Sequence, residues 1–453
     1  MTRHTPKSSW VSAIDALRTQ LWPLPMTGVM SALAAGFVLP HADSALANTM
    51  PAAVSDLFFG GGAAEAREVL ATIAGSAITV TSLTFSLTVV TLQLASGQYS
   101  PRLLRTFARD RFVQGTLALF LATFVYALTI LRTVREGTAG NGLFVPKLSV
   151  TMAYLLALSA VVFLVFFLAH LARGIRVETL ISTVHSDASQ TANEVFAGRD
   201  NKPAAFVPAV PAWARELCAG STGFVNNIDS DSLLSAAEHA DAVIMVFRTP
   251  GEWLVAGTPI ASAWPLQGAA RLDRDVLKSL GDRVRAAVRT SDERTTVEDV
   301  AFGLQQLTDV AVRALSPSLN DPTTAIHTLG HSAALLCELV QRRLGPKVVT
   351  DDQGVMRVVV RRPDLVELLD LAVSQPRRYG ASDPSLLSRL FELLQEVAWS
   401  ATDPEHKTAI SDQLARLRHT VSQQRFDDSE YAHLARLGRA VEAALAHAWR
   451  PQI

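Results

Sequence analysis

The sequence predicts an α-helical membrane domain with four transmembrane helices, followed by a cytosolic α+β region made of a small β module and a helical domain. Four long apolar stretches in the first 175 residues predict the membrane domain. The composition agrees, since 49% of the residues are hydrophobic and only 18% are charged, which is apolar for a chain of 453 residues. Short Val- and Ile-rich runs and then helical periodicity predict the α+β region.

The four predicted transmembrane spans cover residues 21–39, 70–95, 113–131 and 148–171. Each is close to the roughly 20 residues that a helix needs to cross a bilayer. The first span could instead be a secretory signal, because basic residues precede it and small residues follow it. It is longer than a usual signal core and contains two early prolines, so we interpret it as a retained span.

Basic residues predict how these spans are oriented. Arg and Lys side chains cluster before the first span, between the second and third, and after the fourth, which places both termini in the cytoplasm. Arg132 and Arg135 are exceptions on the opposite side. The two cysteines, Cys218 and Cys337, lie far apart, as expected for unpaired thiols in a reducing compartment. The sequence therefore predicts a multi-pass membrane protein with both termini in the cytoplasm.

We divide the chain into a transmembrane domain (1–175), a polar and Pro-rich linker (176–204), a small β-rich module (205–265) and a mainly helical cytosolic domain (266–453). The module contains "PGEWLVAGTPIASA", which resembles the second half of barrel-sandwich modules. The lysine that carries biotin or lipoate in such modules is missing at the turn, so no swinging-arm chemistry is expected.

In the helical domain, three Asp-Pro pairs predict helix starts at Asp321, Asp383 and Asp403. A hairpin with a turn at residues 352–354 interrupts the helices.

The second span is unusually rich in hydroxyl groups. At 100° per residue, apolar side chains of this span share one side and two further sides carry oxygen atoms. The apolar side contains Leu83, Leu87, Val90 and Leu94; the second side contains Thr79, Ser82, Ser86, Gln93 and Ser96; the third contains Thr81, Thr84, Thr88 and Thr91. We therefore expect this helix to lie inside a bundle.

Three explanations for the hydroxyl groups remain open. They pack the bundle, as Ser and Thr bond to their own helix and Ala71 with Gly75 allows close helix contact. They line a pathway in an oligomer, where neutral oxygens replace the hydration of an ion or solute. They form a lipid or small-molecule pocket. A proton-coupled carrier is disfavoured, because His170 is the one ionisable side chain within the spans.

The candidate pathway-lining residues are Thr79, Ser82, Ser86, Gln93 and Ser96. After the second span, Arg102, Arg105 and Arg109 recur on one side of a predicted helix. They are candidates for an inner-mouth site that favours anions, or for contact with the anionic inner leaflet.

Two segments carry a resemblance to a known family. "SLTFSLTVVTLQLASGQYSPR" after a short N-terminal span, followed much later by "RALSPSLNDPTTA", resembles the domain-of-unknown-function family 2254 of bacterial integral membrane proteins. The resemblance covers nearly the whole chain. It implies a membrane protein with a cytosolic C-terminal region and does not imply a mechanism.

The second segment also contains the candidate cytosolic anion site, formed by Arg313, Asn320 and Asp321. An Arg beside a helix start could bind a phosphate or nucleotide. Ordinary helix capping by Asp321 and a helical ion pair of Arg313 explain the same residues. His327 and His331, four residues apart, could chelate a metal, although no further ligand is identifiable and a structural pair is favoured.

The sequence contains no convincing catalytic, cofactor-binding or metal-binding set, so we expect a protein that is not an enzyme and has no cofactor. The net charge of −1 gives no reason to expect nucleic acid as a partner. The expected partners are membrane lipid, further copies of the chain and a small ion or solute. The leading hypothesis is an oligomeric channel-like or transport-related protein with a regulatory or assembly region in the cytosol. The alternative is a membrane-anchored scaffold or sensor with a dry bundle.

Overall fold

The computed structural model describes residues 22–46, 58–98, 110–135, 145–174, 176–196, 207–267, 272–296 and 298–450. The chain separates into two compact units, Met1–Arg176 and Val177–Ile453.

The first unit contains the apolar helices that the sequence predicts. They are α1 (Pro23–Leu46), α2 (Ala63–Gln98), α3 (Arg111–Thr133) and α4 (Lys147–Gly174). By length and composition, these four are the helices of the described residues that could cross a membrane. The prediction of four such helices is confirmed. Helix α1 extends beyond the predicted end of the first span at residue 39, and Asp43 lies within it.

Helices α1 and α3 pack closely through small residues of α1. Gly28, Ala32 and Gly36 recur every four residues, so they share one face of the helix. A Cβ atom on Gly28 would lie 2.9 Å from the carbonyl oxygen of Ala118, and one on Gly36 would lie 2.7 Å from Cγ2 of Thr129. The two helices approach at a distance that larger side chains would prevent, as in other membrane bundles.

Contacts at the helix ends show that α4 runs in the opposite direction to both α1 and α3. Asp43 near the end of α1 accepts a hydrogen bond from Leu148 N at 2.8 Å, at the start of α4. Asp110 at the start of α3 lies 2.5 Å from Nε2 of His170, near the end of α4. The start of α1 and the end of α4 therefore lie at the same end of the bundle.

The second unit contains helices and two β-sheets. Its elements are α5 (Val177–Val195), β1 (Arg215–Cys218), β2 (Gly223–Ile228), α6 (Ser230–His239), β3 (Ala242–Val246), β4 (Trp253–Leu254), β5 (Pro259–Pro265), α7 (Arg274–Ala287), β6 (Val288–Ser291), α8 (Val300–Ala314), α9 (Pro322–Val340), β7 (Lys347–Thr350), β8 (Met356–Val360), α10 (Leu365–Tyr379), α11 (Pro384–Ser400), α12 (Pro404–Ser422) and α13 (Asp428–Leu445).

Helix α5 occupies most of the segment that we expected to be a linker, residues 176–204. Its apolar side chains recur at helical spacing and are buried: they include Leu180, Ile181, Val184 and Ala188. The polar residues between them face outward, which gave the segment the composition of a linker. Residues 197–206 lie outside the described part of the chain.

The β-strands are drawn from both of the predicted cytosolic regions. A five-stranded sheet has the order β1-β5-β3-β8-β7, and a three-stranded sheet has the order β4-β2-β6. Strand β3 pairs with β5 in antiparallel and with β8 in parallel orientation. The β module therefore extends beyond residues 205–265, because β8 lies outside that range. Parallel pairing of β3 with β8 requires a long connection between the two strands, and here that connection contains several helices.

Local predictions for this unit agree with the structure. Gly251 and Gly257 have φ angles of +89° and +84°, so glycine turns stand on both sides of β4. Strands β7 and β8 form the predicted hairpin. Asp321, Asp383 and Asp403 are the N-caps of α9, α11 and α12, each followed by the proline of the pair.

Candidate functional site

One face of α2 is buried in the first unit and carries four threonines. Thr81, Thr84, Thr88 and Thr91 are all less than 9% exposed. Three of them donate hydrogen bonds to the carbonyl oxygen four residues earlier in the helix. The exception is Thr84, whose buried hydroxyl oxygen has no hydrogen-bond partner among the described residues. This face is a packing surface in which most hydroxyl groups are satisfied within their own helix.

The opposite side of α2 is exposed along most of the helix. We call it the α2 stripe: Ala71, Gly75, Thr79, Ser82, Ser86 and Gln93. These residues fall within an arc of about 80° on an ideal helix. The six stripe residues are small or polar, and Val89, which falls in the same arc, is half-buried. The side chains that flank the stripe are large, apolar and exposed, and they are Ile78, Leu83, Phe85 and Val90.

Four of the predicted pathway-lining residues, Thr79, Ser82, Ser86 and Gln93, thus lie together on a surface that the described residues of the first unit leave exposed. Thr79 donates a hydrogen bond to Gly75 O at 2.8 Å, and Ser82 donates one to Ile78 O at 3.0 Å. The side chain of Ser96 lies outside the described residues, and so do Arg102, Arg105 and Arg109. The predicted role of Ala71 and Gly75 in close helix contact is not seen within the single chain, because a Cβ atom on Gly75 would have open space around it.

In the second unit, Arg313, Asn320 and Asp321 surround the turn between α8 and α9. Asp321 accepts hydrogen bonds from Thr324 N at 3.0 Å and from Thr324 Oγ1 at 2.6 Å. These bonds lower the pKa of Asp321, and Asn320 adopts a left-handed φ angle of +44°. A carboxylate therefore occupies the helix start at which an anion would bind. The geometry matches the capping interpretation.

A third histidine joins the pair that the sequence singled out. His185 of α5 and His327 of α9 each lie 5.4 Å from His331, measured between ring centroids. Burial and the two neighbouring imidazoles lower the pKa of His331. Both ring nitrogens of His185 are engaged, since Nδ1 lies 3.2 Å from His331 O and Nε2 lies 3.7 Å from Glu338. Among the described residues, no group of three or more His, Cys, Asp or Glu is placed to hold a metal ion.

Sequence reasoning missed a polar cavity in the second unit. Glu298, Lys347 and Arg362 line it. They belong to three segments that are distant in sequence, and no two of them form a local motif. The sequence offers one weak signal for this cavity, which is that each residue lies at the edge of an element. Glu298 lies just before α8, Lys347 starts β7 and Arg362 lies just after β8.

Comparisons with known proteins agree with the four apolar helices. A family model described as "Predicted membrane protein (DUF2254)" matches residues 18–396. The chain belongs to this family. Relatives of this DUF2254 protein include an uncharacterized protein of Mycobacterium bovis, Mb1321c, and one of Mycobacterium tuberculosis, Rv1290c. Each is 34% identical over 437 residues, which cover 95% of this chain and 81% of the relative. No solved structure matches the chain.

Proposed function

We propose that this DUF2254 protein is a non-enzymatic, oligomeric protein of the bacterial inner membrane in which α2 helices of neighbouring copies face one another across a pathway for a small ion or solute. In this proposal both termini are cytoplasmic and the second unit regulates or assembles the oligomer. The observation that supports it is the α2 stripe, a polar surface on a helix of membrane-spanning length that the described residues of the first unit leave exposed.

The composition of the stripe favours a second copy of the chain as its cover. An amide such as that of Gln93 loses its hydrogen bonds in hydrocarbon, which costs several kcal/mol when nothing replaces them. The hydroxyl groups of Thr79 and Ser82 already donate within their helix, but their oxygens can accept further bonds. An identical stripe on a neighbouring copy, or water between the two stripes, supplies the missing partners.

The absence of charge on the stripe favours passage over tight binding. All six of its side chains are neutral. Neutral hydroxyl and amide oxygens replace hydration water around an ion or solute without holding it as strongly as a carboxylate would. The apolar residues on both sides of the stripe, including Phe85 and Val90, would face lipid or seal the contact between copies.

The experiment uses single cysteines in a full-length protein from which Cys218 and Cys337 have been removed. Ser82→Cys, Ser86→Cys and Gln93→Cys should react in membranes with a small water-soluble thiol reagent. Thr84→Cys is the matched control, because it lies on the same helix and is fully buried. We expect reaction at the three stripe positions and protection at position 84. Protection at all four positions would contradict the pathway.

One observation favours a second candidate function, a membrane-anchored scaffold or sensor with dry helix contacts. Ala71 and Gly75 are small residues four apart on the stripe, a pattern that lets helices approach too closely for water to enter. Oxidative cross-linking of Ser82→Cys between copies, with Phe166→Cys on the exposed side of α4 as the control, tests for assembly through the stripe. Cross-links without reaction toward the water-soluble reagent would favour the dry assembly. A lack of both would contradict both candidates.

A further inference from the structure

The second unit contains a cavity of about 200 Å³ where seven segments converge, including the loop after β6 that carries Arg294. The other six segments are the end of α5, the start of α6, the loop before β4, the start of α8, the start of β7 and the end of β8. Liquid water occupies roughly 30 Å³ per molecule, so the space corresponds to about seven waters. Pockets for drug-sized ligands are typically about 300–1,000 Å³. The cavity therefore suits a small molecule.

Two charged pairs in or beside the wall neutralise each other. Asp299, whose side chain is 2% exposed, is held by Arg294 at 2.7 Å from Nε to Oδ2. Glu252 is held by Arg361 at 2.9 Å. The backbone at Gly251 passes close to the Asp299–Arg294 pair. A Cβ atom at this position would lie 1.9 Å from Oδ2 of Asp299, so only glycine fits there. Arg248 also contacts Glu252, at 3.3 Å, and Glu367 also contacts Arg361. These six charges sum to zero, so they fix the wall and leave no net charge for a ligand.

Three other charged side chains of the wall are not held in ion pairs of this kind. Within the described part of the chain, no ion pair closer than 4.0 Å joins Glu298, Lys347 or Arg362 to an opposite charge. Each has a single polar contact instead. Lys347 Nζ donates to Ser230 Oγ at 3.0 Å, Arg362 Nη1 donates to Val195 O at 2.7 Å, and Glu298 Oε2 accepts from Ile228 N at 3.4 Å.

Burial acts against the charge of all three groups. It raises the pKa of Glu298 and lowers the pKa values of Lys347 and Arg362, and in each case burial is the largest cause. A protein pays such a desolvation cost most often where the charged groups meet a ligand. Counting these three groups alone, two cations and one carboxylate leave an excess of one positive charge, and their donors and acceptor are not saturated. Asp229 and Asp231 act electrostatically on Lys347 from the start of α6, but they do not line the cavity, and Asp229 is occupied as the N-cap of that helix.

We propose that this cavity binds a small organic acid that carries one negative charge and a hydroxyl group, that is, a hydroxy acid. Its carboxylate contacts Lys347 and Arg362, which together supply several N–H donors. Its hydroxyl group donates to Glu298. The ligand brings the net charge of the three groups to zero, whereas a zwitterionic amino acid leaves one positive charge and a phosphate monoester adds an excess of negative charge.

Titration calorimetry on the full-length protein in detergent tests the proposal with five probes: lactate, glycerate, serine, glycerol 3-phosphate and glycerol. We expect saturable binding of lactate or glycerate, and weaker binding of the zwitterion, the dianion and the neutral molecule. Lys347→Met should weaken the binding of the hydroxy acid about 10- to 100-fold, the usual effect of losing a hydrogen bond to a charged group. Lys278→Met, the same change at an exposed position of α7, should leave binding unchanged.

A change of preference separates lost binding from lost folding. Glu298→Gln removes the negative charge of the three groups and should shift selectivity toward glycerol 3-phosphate relative to lactate and glycerate. A folded Glu298→Gln variant with unchanged selectivity would contradict the proposal. Failure of both hydroxy acids to bind the wild type, or equal binding by wild type and Lys347→Met, would also overturn it. None of these outcomes depends on whether the α2 stripe lines a pathway.

Discussion

The carboxylate of Asp43 holds both the backbone and the side chain of Ser149: Oδ2 accepts from Ser149 N at 2.9 Å and from Ser149 Oγ at 2.6 Å. Asp43 lies near the end of α1, and Ser149 is in the first turn of α4 and fully buried. A helix start leaves several N–H groups without partners in its own helix. A residue that is more than 100 positions away in the sequence supplies the missing acceptors, which joins the two helices at one end of the bundle.

Replacing Asp43 with Ala should destabilise the first unit. The substitution leaves the amides of Leu148 and Ser149 and a buried hydroxyl group without their acceptor, and each unsatisfied buried group costs about 1–3 kcal/mol. Asp43→Asn retains one carbonyl oxygen and should lose less. Thermal unfolding of the purified full-length protein in detergent measures the difference. An Asp43→Ala variant as stable as the wild type would show that these bonds do not hold α4.

Gly36 and Gly75 provide a matched pair for the contact between α1 and α3. Gly36→Ala places a methyl group 2.7 Å from Cγ2 of Thr129 and should destabilise the protein by about 1–3 kcal/mol. Gly75→Ala adds the same group where nothing in the single chain lies within 4 Å, and the higher helix propensity of Ala should leave the stability of the dissociated single chain unchanged or slightly increased. Equal effects of the two substitutions, measured by thermal unfolding in detergent, would contradict the close approach of these helices.

Thr84 should be a site of stabilisation by an isosteric change. Its hydroxyl oxygen is buried without a hydrogen-bond partner, so Thr84→Val removes an unsatisfied polar group at almost no cost in volume and should stabilise the protein by about 1 kcal/mol. Thr88→Val is the control, because the hydroxyl of Thr88 donates to Thr84 O at 2.8 Å and its loss removes a bond that is made. If Thr84→Val is the more damaging of the two, the hydroxyl of Thr84 has a partner in the membrane.

The stability of the second unit should depend on pH through Glu298. Burial raises the pKa of Glu298 above its ordinary value of 4.5, so the folded state binds this proton more tightly than the unfolded state does. The free energy of unfolding should therefore fall as the pH rises from the ordinary value through the raised one. Glu298→Gln should remove this loss, and its advantage over the wild type should grow across that window and then stay constant. Unfolding of the full-length protein at a series of pH values measures it, with the exposed Glu216→Gln as control.

Local chemistry explains which features the sequence predicted well. Apolar runs with little charge identified the four helices of membrane-spanning length, and Asp-Pro pairs located the starts of α9, α11 and α12. Helical periodicity also placed Thr79, Ser82, Ser86 and Gln93 on one side of α2 and the four threonines on another. Each of these features depends on residues that are close in sequence.

Features that depend on distant residues were not predicted. Composition suggested a linker where α5 forms, because its buried side chains are small in number and separated by polar ones. The hairpin that contains β8 was predicted but its pairing with β3 was not, since the partner of β3 is set by packing and not by local pattern. The cavity residues Glu298, Lys347 and Arg362 acquire a common environment only when α8, β7 and β8 come together.

The parallel pairing of β3 with β8 also sets an order of events during synthesis. Strand β3 is an apolar run, Ala-Val-Ile-Met-Val, and one of its edges stays open until Val360 has left the ribosome. At about 5–20 residues per second, translation takes about 6–23 seconds to cover that interval. After its membrane helices have been made, the nascent chain therefore exposes a strand edge whose unpaired N–H and C=O groups can pair with another chain. A chaperone that shields this edge would raise the yield of correctly folded protein.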